Sequence, residues 1–201
     1  MSPQTPYIGK PTGRTMTLRG DITYHVGRQT QYGMQTEQQI FEYDSTDRKR
    51  AWRITYATAW IQEALTGTAG GDSRMLAQYT LSTDKILDNV DGQGFTDAAS
   101  AQAWERRIGP NDNRTIAWGA MDYQNRDNTN ADFVVSPQGI GTPLVLDIDR
   151  IITSELWFQG YAITEGSSFS TKVAYYIEME EVTIKPELSI LQQIKGMGQD
   201  V

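Results

Sequence analysis

The sequence contains no cysteine and only one histidine, His25. The absence of cysteine excludes disulfide bonds, thiol nucleophiles and thiolate metal sites. The usual zinc sites and the Ser-His-Asp triad depend on histidine or cysteine, so sites built from several histidines are excluded as well. A lone histidine is more often a structural or surface residue than a catalyst, and we predict that the protein is not an enzyme.

Long apolar runs are also missing. No stretch reaches the roughly 18 consecutive apolar residues that suggest a membrane-spanning helix, so we predict no membrane insertion. The first ten residues lack the apolar core of a secretory signal. Prolines and glycines recur within residues 1–14, and they predict a flexible N-terminal arm because they interrupt any regular element.

Positive charge is scarce, and it is unevenly placed. The chain has 18 Lys and Arg residues against 25 Asp and Glu, a net charge of −7. Such a surface favours solubility and resists non-specific binding of nucleic acid. The N-terminal quarter is the exception, because it is net positive. We predict that it supplies the nucleic-acid contacts, although the same residues could be a solvated turn; the candidates are Lys10, Arg14, Arg19, Arg48, Lys49 and Arg50.

What the sequence does contain is a series of alternating runs rich in β-branched and aromatic residues, separated by clusters of Gly, Asn, Asp and Ser. A period of two is typical of strands. The runs predict strands over residues 15–26, 38–43, 50–63, 75–81, 115–123, 133–136, 150–163 and 172–183. Residues 96–107 predict a short helix, and apolar residues spaced three apart after Pro186 predict one or two helical turns.

Many short strands with turn-rich connections favour an all-β fold, an antiparallel β-sandwich. Eight strands in two facing sheets would make a single jelly roll, with a short inserted helix and a short C-terminal helical turn. We predict a flexible arm over 1–14, the sandwich over 15–185 and a C-terminal interface segment over 186–201. Alternation alone does not specify strand order.

Three groups of residues suggest chemistry, and each has a simpler explanation. Asp147, Asp149 and Glu155 could bind calcium, although acids in turns are usually solvated. Glu178 and Glu180 share a strand face at a spacing compatible with glycoside hydrolysis. Any two acids that lie two residues apart on a strand have the same spacing, so a solvated strand edge explains them as well. The five tryptophans could stack on sugars, but most alternate within strands, which favours a core or an interface between subunits.

The last third of the chain carries a resemblance. The tracts LDIDRIITSELWF (146–158), YYIEMEEVTI (175–184) and ELSILQQIKGMGQDV (187–201) resemble the C-terminal end of the coat proteins of small circular single-stranded DNA viruses. Those proteins usually begin with a long Lys- and Arg-rich arm, and this chain does not. The resemblance implies a single jelly roll that self-assembles into a small icosahedral shell around a genome, and therefore a location in the virion.

A shell protein needs surfaces that bind further copies of itself. Aromatic and apolar residues of the last third are the candidates for that subunit interface: Trp157, Tyr175, Tyr176, Leu188, Leu191 and Ile194. No cofactor is expected, except calcium between subunits as an open alternative. Two other functions stay open, a carbohydrate-binding sandwich such as a phage or cell-surface adhesin and, with less support, a glycan-cleaving enzyme.

Overall fold

The computed structural model describes residues 9–24, 34–44, 48–61, 73–86, 112–126, 134–135, 142–165 and 171–197. These residues form ten strands and one helix. The strands are β1 Lys10–Tyr24, β2 Met34–Glu42, β3 Arg50–Ile61, β4 Ser73–Ser82, β5 Thr115–Arg126, β6 Val134–Val135, β7 Thr142–Pro143, β8 Val145–Leu146, β9 Glu155–Glu165 and β10 Thr171–Thr183, and the helix is α1 Pro186–Met197. The predicted helix over 96–107 lies outside the described residues.

The strands make two antiparallel sheets. Sheet A has the order β1-β10-β3-β7, and sheet B has the order β2-β9-β4-β5-β6, with β8 pairing β5. Buried residues from both sheets pack in one cluster between them. The predicted all-β sandwich is therefore confirmed.

The strand pairs are nested in the sequence. β1 pairs with β10, β2 with β9, β3 with β7 and β4 with β5, so each pair lies inside the one before it. The contacts of β10 with β3 and of β9 with β4 then join these pairs side by side into the two sheets. As a result, residues near the two ends of the described chain become neighbours in sheet A.

Three aromatic residues meet in the space between the sheets. Phe158 of sheet B and Tyr175 of sheet A have ring centroids 5.7 Å apart, and Phe158 also lies 5.9 Å from Tyr79. All three side chains are buried. Large aromatic rings contribute much of the apolar area that a sandwich core removes from water, so these contacts connect the two sheets.

A second, smaller apolar cluster lies where α1 meets sheet A. Ala51, Ile151, Val182 and Ile184 are buried there, and Leu188 of α1 packs against them. Pro186 begins the helix and Glu187 stands in its first turn, two features that suit a helix N-terminus. With 12 residues, α1 is longer than the one or two turns that were predicted.

The structure moves several predicted strand boundaries, two of them by five residues. β1 begins at Lys10 rather than at residue 15, so the end of the predicted arm belongs to sheet A. The register with β10 shifts between Pro11 and Thr15, and Gly13 takes a φ of 86°, which favours glycine. At the other boundary, β9 begins at Glu155 rather than at residue 150, and Ile152 instead makes an isolated bridge to Trp52.

Strand β3 departs from simple alternation. Uninterrupted alternation along β3 would put Ile54 and Tyr56 on one face. In the structure their partners on β10 are the adjacent residues Met179 and Glu178, which leaves Thr55 as an extra residue in β3. Such a β-bulge reverses the facing of everything beyond it. Ile54 is therefore in the core, whereas Tyr56 is 40% exposed.

Candidate nucleic-acid and subunit interfaces

Five of the six predicted phosphate contacts come together at one end of sheet A. Lys10 and Arg50 are both Cα partners of Thr183, from opposite sides of β10. Neighbouring strands lie about 4.8 Å apart, so the two backbones are separated by about 10 Å. Arg14 follows on β1, and Arg48 and Lys49 directly precede β3.

A sixth cation belongs to this cluster. The backbone N–H of Ile184 donates to the carbonyl oxygen of Lys49 at 2.8 Å, which places Lys185 beside the start of β3. We call this group the basic end; its members are all exposed and are Lys10, Arg14, Arg48, Lys49, Arg50 and Lys185. Lys185 was not among the predicted contacts, because only strand pairing brings it to the other cations.

A buried carboxylate organises the basic end. Glu181 is almost fully buried and accepts a hydrogen bond from the Thr12 hydroxyl at 2.8 Å. Its Oε1 lies 3.8 Å from Nη1 of Arg14 and 3.7 Å from Nη1 of Arg50. One carboxylate therefore holds two arginines near each other while both side chains remain largely exposed. The basic end keeps an excess of positive charge on an otherwise acidic chain.

Arg19 lies away from the basic end. It is paired with Tyr176 rather than with the end of β10, and its guanidinium carbon lies 5.3 Å from the centre of the Tyr176 ring. This is a cation–π contact. The Tyr176 hydroxyl donates to Oε1 of Glu178 at 2.7 Å, and this hydrogen bond raises the pKa of Tyr176. The structure therefore does not bring Arg19 together with the other five predicted contacts.

The aromatic residues predicted for the subunit interface have different environments. Tyr175 is 8% exposed and packs on Phe158, so the structure assigns it to the core of the chain itself; this corrects the prediction. Its side chain faces inward because it shares strand parity with Ile177, which is also buried. Tyr176, one residue on, faces outward, and Trp157 is half-buried.

Helix α1 separates its own predicted interface residues. Leu188 faces sheet A and packs in the second apolar cluster. Ile190, Leu191 and Ile194 are 42%, 48% and 57% exposed. Leu191 and Ile194 therefore belong to an exposed apolar face, which Ile190 extends.

The three predicted calcium ligands are not gathered into one group within the described part of a single chain, so calcium between subunits stays a prediction. None of the groups of His, Cys, Asp and Glu among the described residues could hold a metal ion. Asp147 instead accepts from the backbone N–H of Asp149 at 3.1 Å and lies 3.5 Å from Nε of Arg150. Glu155 accepts from Nε2 of Gln39 at 3.2 Å, on a different strand pair. Local turn and cross-strand contacts thus occupy two of these carboxylates.

Glu155 has a second acid directly opposite it. Glu42 on β2 is its Cα partner, and such like-charge pairs are unfavourable. Burial is the main reason that the pKa of Glu155 is raised, and the negative charges of Asp84 and Glu42 raise it further.

The candidate carboxylates for glycan cleavage are also engaged. Glu178 accepts from Tyr176, and Oε1 of Glu180 lies 2.6 Å from Nη2 of Arg53. Of the tryptophans, Trp52 is in the core, and the partly buried Trp60 packs against that core. His25 and Trp104 lie outside the described residues.

No helix in the described part of the chain is long and apolar enough to span a membrane.

None of the known protein-family models matches the chain, and no curated protein matches its sequence.

Proposed function

We propose that this protein is a viral coat protein whose sandwich is a single jelly roll and which assembles into a small icosahedral shell around its genome. The nested strand pairing carries the proposal. An eight-stranded jelly roll is a sandwich of two Greek keys, and it is a common architecture of viral capsid domains. The pairs β1·β10, β2·β9, β3·β7 and β4·β5 supply eight strands in the order that rolling up one long hairpin would produce.

Jelly rolls also occur in proteins that are not capsids, so the surface has to support the function separately. Helix α1 supports it, because three large apolar residues on one helix of 12 are exposed. Exposed apolar patches of this kind mark sites of protein association. The resemblance of the last third to coat proteins favours the same conclusion.

The basic end is the surface that would meet the genome. Its cations lie on β1, just before and at the start of β3, and just before α1, so they are held beside sheet A. Arginine and lysine side chains bind phosphates mainly through charge, without reading sequence. A shell protein could contact its genome in this way, through cations fixed on its sheet.

Assembly would proceed through many small contacts. Each contact between copies would bury an apolar centre with a polar rim. A closed shell engages several such contacts per copy, so weak single contacts give a stable particle. Assembly should therefore depend steeply on protein concentration.

Sedimentation velocity of the purified protein tests the proposal, at near-neutral pH, with and without single-stranded DNA and with and without calcium. We expect one discrete, very large species in at least one condition, and monomers when the protein is diluted. Only monomers and small oligomers under every one of these conditions would overturn the proposal. If particles form only with DNA, repulsion between the positive charges of the basic end prevents assembly until DNA phosphates neutralise them.

A further inference from the structure

Strand β1 has a long free edge. It is the outermost strand of sheet A, and among the described residues no strand pairs with it on the side away from β10. Residues 15–24 keep one unbroken register with β10, so they form a regular edge of ten residues. Backbone N–H and C=O groups point outward along such an edge, which makes it a template for a further strand.

The other sheet edges are shorter or interrupted. On the outer strand of sheet B, only residues 34–39 keep one register before a bulge follows. The strands β6, β7 and β8, which cover parts of β5 and β3, have two residues each. Proteins protect their edges with short strands, bulges, prolines and charges. On β1, Pro11 and the register shift precede residues 15–24, and within that stretch the only such devices are the charges of Arg19 and Asp21.

The two faces of β1 restrict how a second copy of the strand can pair with it. The odd-numbered residues from 15 to 21 are exposed, whereas Ile22 is buried and Met16 and Leu18 pack against the core. Residues directly opposite each other in an antiparallel pair lie on the same face of the sheet. Odd positions must therefore pair with odd positions, because a slip by one residue would turn the apolar residues to the solvent side.

Charge selects one of the remaining registers. With Gly20 opposite Gly20, Arg19 of each copy lies opposite Asp21 of the other, and Leu18 lies opposite Ile22 on the inner face. Moving the centre by one residue places Arg19 opposite Arg19 in one direction and Asp21 opposite Asp21 in the other. Opposite charges stabilise a directly opposed pair, and like charges destabilise it. The register centred on Gly20 is therefore favoured.

The neighbouring charges do not reverse this preference. The nearest ones on β10 are Glu178, which is paired with Thr17, and Lys172, which is paired with Thr23. In the register centred on Gly20, Thr17 of one copy lies opposite Thr23 of the other. Glu178 and Lys172 of different copies would then share a row, about 14 Å apart, where salt largely screens them.

From these observations, and resting on the proposed coat-protein function, we infer that two copies of the protein pair through their β1 edges, antiparallel about Gly20, so that sheet A continues from one copy into the other. The contact joins the same surface of both copies, so it is isologous and has two-fold symmetry. Residues 16–24 pair over about 30 Å. Both edges are used up, so pairing stops at a dimer, which suits the two-fold axes of an icosahedral shell.

Arg19 changes its contact in this dimer. In a single copy its guanidinium lies over the Tyr176 ring, on the side of β10. The arginine is exposed, and its side chain is long enough to reach an acid on the next strand, where opposite β-carbons lie about 5 Å apart. Exposed cation–π contacts and exposed ion pairs have similar strengths. The backbone ladder and the apolar pairs therefore supply the affinity, and the charges select the register.

Charge reversal tests the inference, by sedimentation velocity at concentrations below those that give particles. Arg19→Asp places acids opposite each other and Asp21→Arg places arginines opposite each other, so each should weaken dimerisation by about tenfold or more. An equimolar mixture of the two variants restores both opposite-charge pairs in a heterodimer, and we expect it to dimerise like the wild type. The double variant Arg19→Asp/Asp21→Arg restores them within one chain and should do the same.

The matched controls are Arg48→Asp and Asp44→Arg, which make the same charge changes at exposed positions outside β1. They should stay within about twofold of the wild type, and circular dichroism checks that every variant is folded. Three results would each overturn the contact: a wild type that does not dimerise, single variants that dimerise as well as their controls, or a mixture that stays as weak as its components.

Electron microscopy of the unmodified protein separates failure of the contact from failure of the shell. Particles without the charge-reversal pattern overturn the contact and leave the coat-protein proposal standing. The pattern without particles, at any concentration and with or without DNA, supports the contact and overturns the shell. The absence of both overturns both.

Discussion

Tyr175 on β10 lies directly opposite Gly20 on β1, and its phenol ring fills the space that a β-carbon at position 20 would occupy. The same ring packs on Phe158 in the facing sheet. Gly20 therefore lets a large aromatic side chain lie across β1 and reach the centre of the sandwich.

We expect Gly20→Ala to destabilise the protein, because the added methyl group would push Tyr175 from its position against Phe158. Overpacking of this kind costs roughly 1–3 kcal/mol. Urea unfolding, followed by tryptophan fluorescence, measures the loss. Thr15→Ala, an exposed position on the same strand, is the control and should change the free energy of unfolding by less than about 0.5 kcal/mol. An equal effect of both substitutions would contradict the packing assignment.

Glu155 should make stability depend on pH. Burial, with the charges of Asp84 and Glu42, raises its pKa in the folded protein. The folded state then holds the Glu155 proton more tightly than the unfolded state. The free energy of unfolding therefore falls as the pH rises from the unfolded pKa through the folded one.

Glu155→Gln removes this charge at every pH. We expect the variant to be more stable than the wild type at pH 7, by roughly 0.2–1 kcal/mol, the range for cross-strand pairs. The advantage should shrink as the pH falls and disappear at about pH 2.5, well below the ordinary glutamate pKa of about 4.3, because Glu155 is then protonated in both states. Urea unfolding at the two pH values measures it. Glu187→Gln, at the start of α1, should show no such gain at pH 7, because an acid there is favourable. If the stability difference between Glu155→Gln and the wild type is the same at both pH values, the charge of Glu155 is not its cause.

The basic end should bind single-stranded DNA through phosphates. Each phosphate contact contributes about 0.7 to the slope of log affinity against log salt for a single strand. We expect Arg48→Gln/Lys49→Gln to weaken binding at low salt and to lower the slope by about 1.4 if both contact phosphates. Fluorescence anisotropy with a labelled oligonucleotide at several salt concentrations measures both quantities.

Lys85→Gln provides the control for that experiment. Lys85 is exposed but pairs with Glu37 at 3.4 Å, and it follows β4 of sheet B. Its removal should leave the salt slope unchanged. If Lys85→Gln and the double variant lose affinity equally, DNA binds through overall charge and the basic end has no special role.

The strands that alternate without interruption were predictable. β10 runs from Thr171 to Thr183, close to the predicted 172–183, because its inward residues Val173, Tyr175, Ile177 and Met179 keep a strict period of two. The same parity already placed Tyr175 with the core residues and Tyr176 outside. Both tyrosines were predicted at the subunit interface from their aromatic character, although strand parity separates them.

The bulge in β3 was not predictable from the pattern. Thr55 is a good strand residue, and nothing in its neighbours marks it as the extra residue of a pair. The bulge is defined by the partner strand, where Glu178 and Met179 are adjacent while Tyr56 and Ile54 are not. The sheet face on which the β3 side chains lie after position 55 therefore depends on tertiary pairing.

The candidate site was predictable only in part, for the same reason. Composition identified the cations around Lys10 and Arg50 but not their meeting at Thr183, which needs the order of strands in sheet A. Lys185 joins them through the backbone bond of Ile184 to Lys49. Spacing identified Asp147, Asp149 and Glu155 as acids, yet local hydrogen bonds rather than a shared metal site organise Asp147 and Glu155.

Negative-stain electron microscopy of the purified protein tests the central claim most directly, beside the variant Leu191→Asp/Ile194→Asp. We predict uniform closed particles for the wild type, of about 1.4 MDa if about 60 copies of the 22.6 kDa chain form the smallest icosahedral shell. The variant should stay folded by circular dichroism and form no particles, since both substituted residues are exposed. A wild type that forms no closed particles at any concentration, with or without DNA and calcium, would contradict the account.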